Sequence, residues 1–269
     1  FADKAPGKLK AIVHGEVGKQ DILKIAGPNL PRELARRWPN YPLGIDLVAR
    51  GNMQKMHLSG VRLLLPTAFR ITGDGFAANL TDPNHLKADV ALHAKAYNLN
   101  FLTPMLGPAL GKTVRVPSGI AFDGKIRVDG NNYLTHFVAS QGGGELRGNV
   151  QVDIKKMAYN VRLNAQRLPL QNFLPKMGFH PFTGYITAQG EGANILSPKM
   201  RLKAEAGINA FQYGNYNLDN VAAVATIHNG RIHADIDSRN PLFEGQVNLD
   251  ALTTGSRMRA TVAGDLHHL

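Results

Sequence analysis

Apolar and polar residues alternate with a period of two through most of this chain. From Gly44 to Asn52, Ile45, Leu47 and Ala49 share one parity, while Asp46 and Arg50 share the other. Between Leu86 and Ala96, Leu86, Ala88, Val90, Leu92 and Ala94 oppose Lys87, Asp89, His93 and Lys95. Further on, Ile120, Phe122, Ile126 and Val128 oppose Asp123, Lys125 and Arg127, and Val150, Val152 and Ile154 oppose Asn149, Gln151 and Asp153. The same pattern returns at Val161 and Leu163, at Leu202, Ala204, Ala206 and Ile208, and at Ile232, Ala234 and Ile236. It closes the chain at Phe243, Val247 and Leu249 and at Met258, Ala260 and Val262. Successive side chains of a strand point to opposite faces, so each run predicts a ribbon with one oily and one wet side.

Turn signals stand between the runs, at Gly73-Asp74-Gly75, Asp129-Gly130-Asn131-Asn132, Gly142–Gly144 and Asn229-Gly230. Asn-Gly favours the tight turn whose two central residues take positive φ, which predicts hairpins and antiparallel pairing. Parallel crossovers need helices, and helical periodicity is nearly absent. The exceptions are one short helix over about 31–38, with Pro31 at its first position, and single turns at Thr103–Leu110 and Asn172–Met177. Three apolar pairs, Ile22-Leu23, Phe101-Leu102 and Phe173-Leu174, read as strand ends followed by Pro/Gly crossovers and a Gly-led strand. They start 79 and then 72 residues apart. That spacing predicts one elongated repetitive domain over 1–269, with units of about 1–43, 44–118, 119–182 and 183–269.

So few helices cannot cover the oily side, and the sheet must cover itself as a sandwich, a barrel or a curled gutter. Ala88, Ala94, Ala96, Ala188, Ala204, Ala206, Ala234 and Ala260 are small for a tight two-layer core. Space lined by hydrocarbon suits acyl chains, although larger residues opposite would close it into an ordinary sandwich. The expected fold is all-β: a long curled antiparallel sheet forming an open hydrophobic groove. The residues expected to line it are Leu47, Val90, Leu92, Val150, Val152, Leu163, Leu202, Ile208, Ile232, Val247, Leu249 and Val262.

Charge and composition narrow the partners. The formal net charge of +11 favours anionic surfaces, yet the basic residues are spread along the chain without a block of five or more. Aromatics do not collect on strand faces beside basic loops, so nucleic-acid binding is not expected. They do not form two belts either, which speaks against a membrane barrel. With no cysteine there is no disulfide framework and no thiolate metal site. No run of 18 apolar residues offers a spanning helix.

The stretch from Gly214 to Leu252 carries a distinctive order: Leu218-Asp219-Asn220, the Asn229-Gly230 turn, a strand ending in Asp237-Ser238, then Gly245-Gln246-Val247-Asn248-Leu249. This order resembles the AsmA-like family, of the TamB type, and Leu168-Pro-Leu-Gln-Asn-Phe-Leu-Pro175 is similar to a link between units there. The likeness is best over about residues 160–269. It implies a groove conducting phospholipid acyl chains between inner and outer membranes, in a periplasmic bridge-like protein of the bacterial cell envelope. It also implies an inner-membrane anchor outside this segment and an outer-membrane assembly barrel of the BamA/TamA-like kind as partner. The rival expectation is a scaffold whose open sheet edge pairs with client β-strands during outer-membrane protein assembly.

Candidate chemistry is thin, and no catalytic residue, cofactor or metal is expected. Gly107–Thr113 looks like a phosphate loop but is one residue short and lacks the strand-to-helix setting. Gly190-Glu191-Gly192 lacks the third glycine of a dinucleotide site. Asp235 and Asp237 alternate with Arg231 and His233 on the wet parity, where solvated charges are expected rather than paired catalytic acids. His228, His233, His267 and His268 have no metal-ligand spacing backed by carboxylates. His136 shares parity with Leu134 and Val138, which reads as a hydrogen-bonded interior or strand-end histidine.

Overall fold

The computed structural model describes residues 7–26, 32–52, 54–106, 113–192, 197–254 and 257–267. Alternation becomes strand nearly throughout. In chain order the strands are β1 (Leu9–Val17), β2 (Leu43–Asn52), β3 (Lys55–Leu65), β4 (Phe69–Ala78), β5 (Lys87–Ala96), β6 (Ile120–Asp129), β7 (Asn132–Gln141), β8 (Gly144–Asp153) and β9 (Ala158–Pro169). They continue with β10 (Pro181–Glu191), β11 (Arg201–Ala210), β12 (Gln212–Tyr213), β13 (Tyr216–Asn217), β14 (Val221–His228), β15 (Arg231–Ser238), β16 (Gly245–Thr254) and β17 (Arg257–Leu266). Fifteen of them form one sheet in sequence order, with β1 and β17 as its two edges, and β12–β13 stand apart as a small hairpin. The sheet does not close on itself, and every neighbouring pair whose register is described runs antiparallel.

Two compact units divide the chain, and the dividing line falls within β7. The first is built on β1–β6. Its connections at one end of the strands carry helices: α1 (Lys19–Ala26) and α2 (Arg32–Arg37) lie between β1 and β2, and a 3₁₀ turn over Asn100–Leu106 follows β5. There the unit has its dense packing: Leu34 of α2, Leu65, Ala68 and Phe101 are buried together, and Trp38 meets the Phe101 ring edge-on at 5.2 Å. The helical turns therefore seal strand ends and leave the strand faces open.

The second unit runs from β8 to β17 and has tight turns at one end, such as Asn229-Gly230 with both residues at positive φ. At the other end Asn240, wholly buried, ties two connections together. Its Nδ2 donates to the Asn217 and Asp219 carbonyls and the Asp219 carboxylate at 2.7–3.0 Å, and its Oδ1 accepts from the Leu242 N–H at 2.9 Å. The Leu218-Asp219-Asn220 and Ser238–Asn240 segments are thus physical partners.

Several sequence expectations need correction. Gly73-Asp74-Gly75 is not a turn but mid-β4, where Gly73 and Gly75 pair with Leu92 and Val90 of β5. A methyl on either glycine would run into a β5 carbonyl, so glycine is needed inside the strand. The Asp74 carboxylate accepts from Gly60 N–H at 2.7 Å, fixing the bulge in β3. Ile22-Leu23 does not end a strand but lies in α1; Phe101-Leu102 lies in the 3₁₀ turn, and Phe173 closes a short helix, Leu170–Phe173. The predicted helix over 31–38 is found as α2, with Pro31 outside the described residues. Phe243 and Glu244 precede β16 rather than belonging to it.

Surface area decides between a sandwich and an open sheet. At 29.2 kDa, two separate compact units of half the mass each would expose about 13,800 Å² together, by the scaling of folded surface with mass. The chain exposes 17663 Å². Among the described residues only eleven hydrophobic side chains are buried, too few for an oily face covered by a second layer.

Candidate functional site

Strand pairing keeps side chains of one parity on one face, and the registers show how far that face extends. In the first unit Val13, Leu47, Leu58, Gly75, Val90 and Ile126 stand on the same side as their apolar neighbours. In the second unit one cross-strand row reads Val161, Ala188, Ala204, Ala225, Ala234, Leu249 and Val262 from β9 to β17. The next row reads Leu163, Ile186, Ala206, Ala223, Ile236 and Val247. Ala204, Ala206, Ala223 and Ala225 are therefore a floor of four methyls on β11 and β14. Leu202 and Ile227 stand at one end of that floor, Ile208 and Val221 at the other. A shallow apolar trough results, running across the strands with taller side chains along both margins.

Within each unit, the residues expected to line a groove lie on that unit's apolar face. Leu47, Val90 and Leu92 belong to the first unit, and Val150, Val152, Leu163, Leu202, Ile208, Ile232, Val247, Leu249 and Val262 to the second. Leu249 and Val262 are direct partners, and Ile227 bridges Leu202 to Ile232. None is buried: eleven are half-buried and Val262, on the edge strand, is 62% exposed. Sequence inspection missed β14, whose Ala222, Ala223, Val224 and Ala225 are small or apolar at both parities and so hide the alternation.

Several glycines within strands lie on the apolar face of each unit. At Gly144, Gly184 and Gly190, as at Gly73 and Gly75, an added methyl would strike the neighbouring strand's carbonyl. Phe182 covers Gly184 and Tyr159 covers Gly190, each ring filling the space that a side chain would take. Burial raises the Tyr159 hydroxyl above its ordinary pKa.

The opposite face is wet and laced by cross-strand pairs. His14 bonds Asp46 at 2.5 Å, Arg127 bonds Asp89 at 3.0 Å, and His93 pairs with Asp123. His233 sits between Asp250 at 2.8 Å and Asp235 at 3.1 Å. The hydrogen bond to Asp250, aided by the charge of Asp235, raises the His233 pKa above 6.5. His136 is corrected here: it lies mid-strand on β7, exposed, and pairs with the Asn149 side chain on this wet face. Its parity mates Leu134 and Val138 misled because apolar residues occur on both sides of β7. Asp235 and Asp237 lie on the wet face as expected. Among the described residues no three His, Cys, Asp or Glu side chains are placed to hold a metal ion. Gly190 and Glu191 end β10, Gly192 follows with φ +89°, and the 107–112 part of the phosphate-loop lookalike lies outside the described residues.

Comparison with protein-family models, curated proteins and solved structures gave no match. Function is therefore argued from the two faces themselves.

Proposed function

We propose that the chain is a segment of a periplasmic, bridge-like lipid transport protein, with phospholipid acyl chains lying along the apolar face. The single observation that carries this reading is the uncovered trough of the second unit, floored by Ala204, Ala206, Ala223 and Ala225 and continuous across strands in register. Burying hydrocarbon gains about 0.8 kcal/mol per methylene, so even part of an acyl chain laid across four strands binds usefully. The trough has no polar group to orient a reaction, and the reading includes no catalytic step. The inner-membrane anchor and the outer-membrane barrel partner enter from the AsmA-like resemblance.

The test is native mass spectrometry of the purified protein, wild type and Val152→Asp/Ile208→Asp. Bound phospholipid is expected in the first and lost in the second, with β-sheet circular dichroism retained. Absence of lipid from the wild type, or full retention in the folded variant, sinks the proposal.

One observation favours a second reading. β1 and β17 are the outermost strands described, where Ile12 is 67% and Met258 58% exposed, as a strand-pairing scaffold requires of an edge. In that case client binding falls when proline is placed on an edge strand, and the Val152→Asp/Ile208→Asp variant binds clients normally.

A further inference from the structure

A hollow of about 610 Å³ lies at the turn end of β8–β11 and β14 in the second unit. Two consecutive cross-strand rows of the wet face line it. The inner row places Gln151, Asn160, Gln189, Lys203 and Thr226 in register, one per strand. The outer row brings Asp153, Glu191 and Arg201 to the same hollow.

In this inner row three carboxamides stand side by side within the hollow. Elsewhere on this face some cross-strand partners satisfy one another, as His233 with Asp250 or His136 with Asn149, while others, such as Asn164 and Asn248, stand in solvent. Among the described residues, the side chains of Gln151, Asn160 and Gln189 make no hydrogen bond to the protein, and Glu191 and Arg201 make no ion pair. Each carboxamide offers two N–H donors and one carbonyl acceptor, and the three repeat at the strand spacing of about 4.8 Å.

Charge narrows what such a row can hold. Asp153 and Glu191 stand against Arg201 and Lys203, and Lys203 also reaches Glu205 at 3.7 Å, so the hollow holds no excess of positive charge although the chain as a whole carries +11. A polyanion gains nothing from the local field, and neither does a polycation. An extended glycan fits what remains: it is uncharged, carries donor and acceptor hydroxyls along its length, and advances by roughly one strand spacing per β-linked sugar ring. We propose that the Gln151–Asn160–Gln189 row is a binding site for an extended, uncharged oligosaccharide lying across β8–β11. It uses the face opposite the trough, so it stands or falls separately from lipid transport.

Nuclear magnetic resonance of the wild-type side-chain amides tests this directly, with cellohexaose and chitohexaose (the N-acetylated form) as probes. Saturable shifts at Gln151, Asn160 and Gln189 are expected with at least one of them, and the stronger probe tells whether acetamido groups contribute. Gln151→Ala/Gln189→Ala should weaken that binding about tenfold, as loss of two ligand hydrogen bonds implies, with circular dichroism unchanged. The proposal is overturned if neither sugar gives saturable shifts at these residues, or if the double variant binds as well as the wild type. Tighter binding of polyglutamate at the same amides would overturn it too.

Discussion

Replacing Asn240 with alanine probes the joint that holds the strand ends of the second unit. The side chain supplies two N–H donors, shared among the Asn217 and Asp219 carbonyls and the Asp219 carboxylate, and one acceptor for the Leu242 N–H. Alanine removes all of these at a wholly inaccessible position. Three hydrogen bonds at about 1 kcal/mol each give an expected loss of about 3 kcal/mol, and the range is about 2–4 because buried partners left unpaired cost more than the mean. Asn240→Asp keeps an acceptor for Leu242 but sets a carboxylate against Asp219, and should cost more at neutral pH than alanine does. Acid should recover part of that extra loss as one carboxyl of the pair takes up a proton. Urea unfolding is the assay, read as a shift in midpoint at constant slope. A loss below about 1 kcal/mol for Asn240→Ala, with the slope unchanged, would refute the view that this side chain ties the two connections together.

Three further outcomes are expected. Ala204→Phe and Ala225→Phe should raise the trough floor and reduce bound lipid while leaving the sheet intact, because both alanines are only half-buried; unchanged lipid occupancy by mass spectrometry would count against the trough as the lipid path. Gly75→Val should weaken the first unit markedly, since its Cβ meets the Asp89 carbonyl on β5; thermal unfolding checks it, and an unshifted midpoint would contradict the close approach. The His233 imidazole should titrate above 6.5 in a nuclear magnetic resonance pH series, and Asp250→Asn should lower it. With the folded pKa raised, the small stabilisation it provides is complete below 6.5 and lost as pH rises through the shifted value, so a downward shift on folding would be the wrong sign.

The antiparallel sheet was legible wherever a strand keeps one parity from end to end, as β5, β6, β11 and β15 do. It was obscured where a bulge changes parity. In β3, Met56 and Leu58 face the same side as Val61, Leu63 and Leu65 because the register shifts around Gly60. In β9 the shift at Arg167, which has φ +48°, separates Ala165 from Leu168 in the same way. Gly73 and Gly75 resembled a turn because composition alone does not distinguish a glycine that bends the chain from one that lets a neighbouring strand approach. The lining of the trough could be read from alternation, but its depth could not: the four-alanine floor depends on the pairing of β11 with β14, two strands apart in a register that no local pattern specifies. The carboxamide row was equally hidden, since Gln151, Asn160 and Gln189 look like ordinary solvent-facing residues until two registers align them.

An uncovered apolar face is a liability that a chain retains only if something fills it. The edges and the face compete for the role of functional surface, and they are built differently. The outermost strands described carry charge along their wet side, Lys10 and Glu16 on β1 and Arg259 and Asp265 on β17, and such charge discourages indiscriminate strand pairing. The trough carries no such guard: the rows from Val161 to Val262 and from Leu163 to Val247 have no polar side chain over seven and six strands respectively. A scaffold selected for edge pairing would gain little from keeping two consecutive rows free of polar groups at mid-sheet, where client strands never reach. A lipid path needs that continuity at every step, because a single charge on the floor would be desolvated by each passing chain. The uninterrupted rows therefore favour the face over the edges as the working surface.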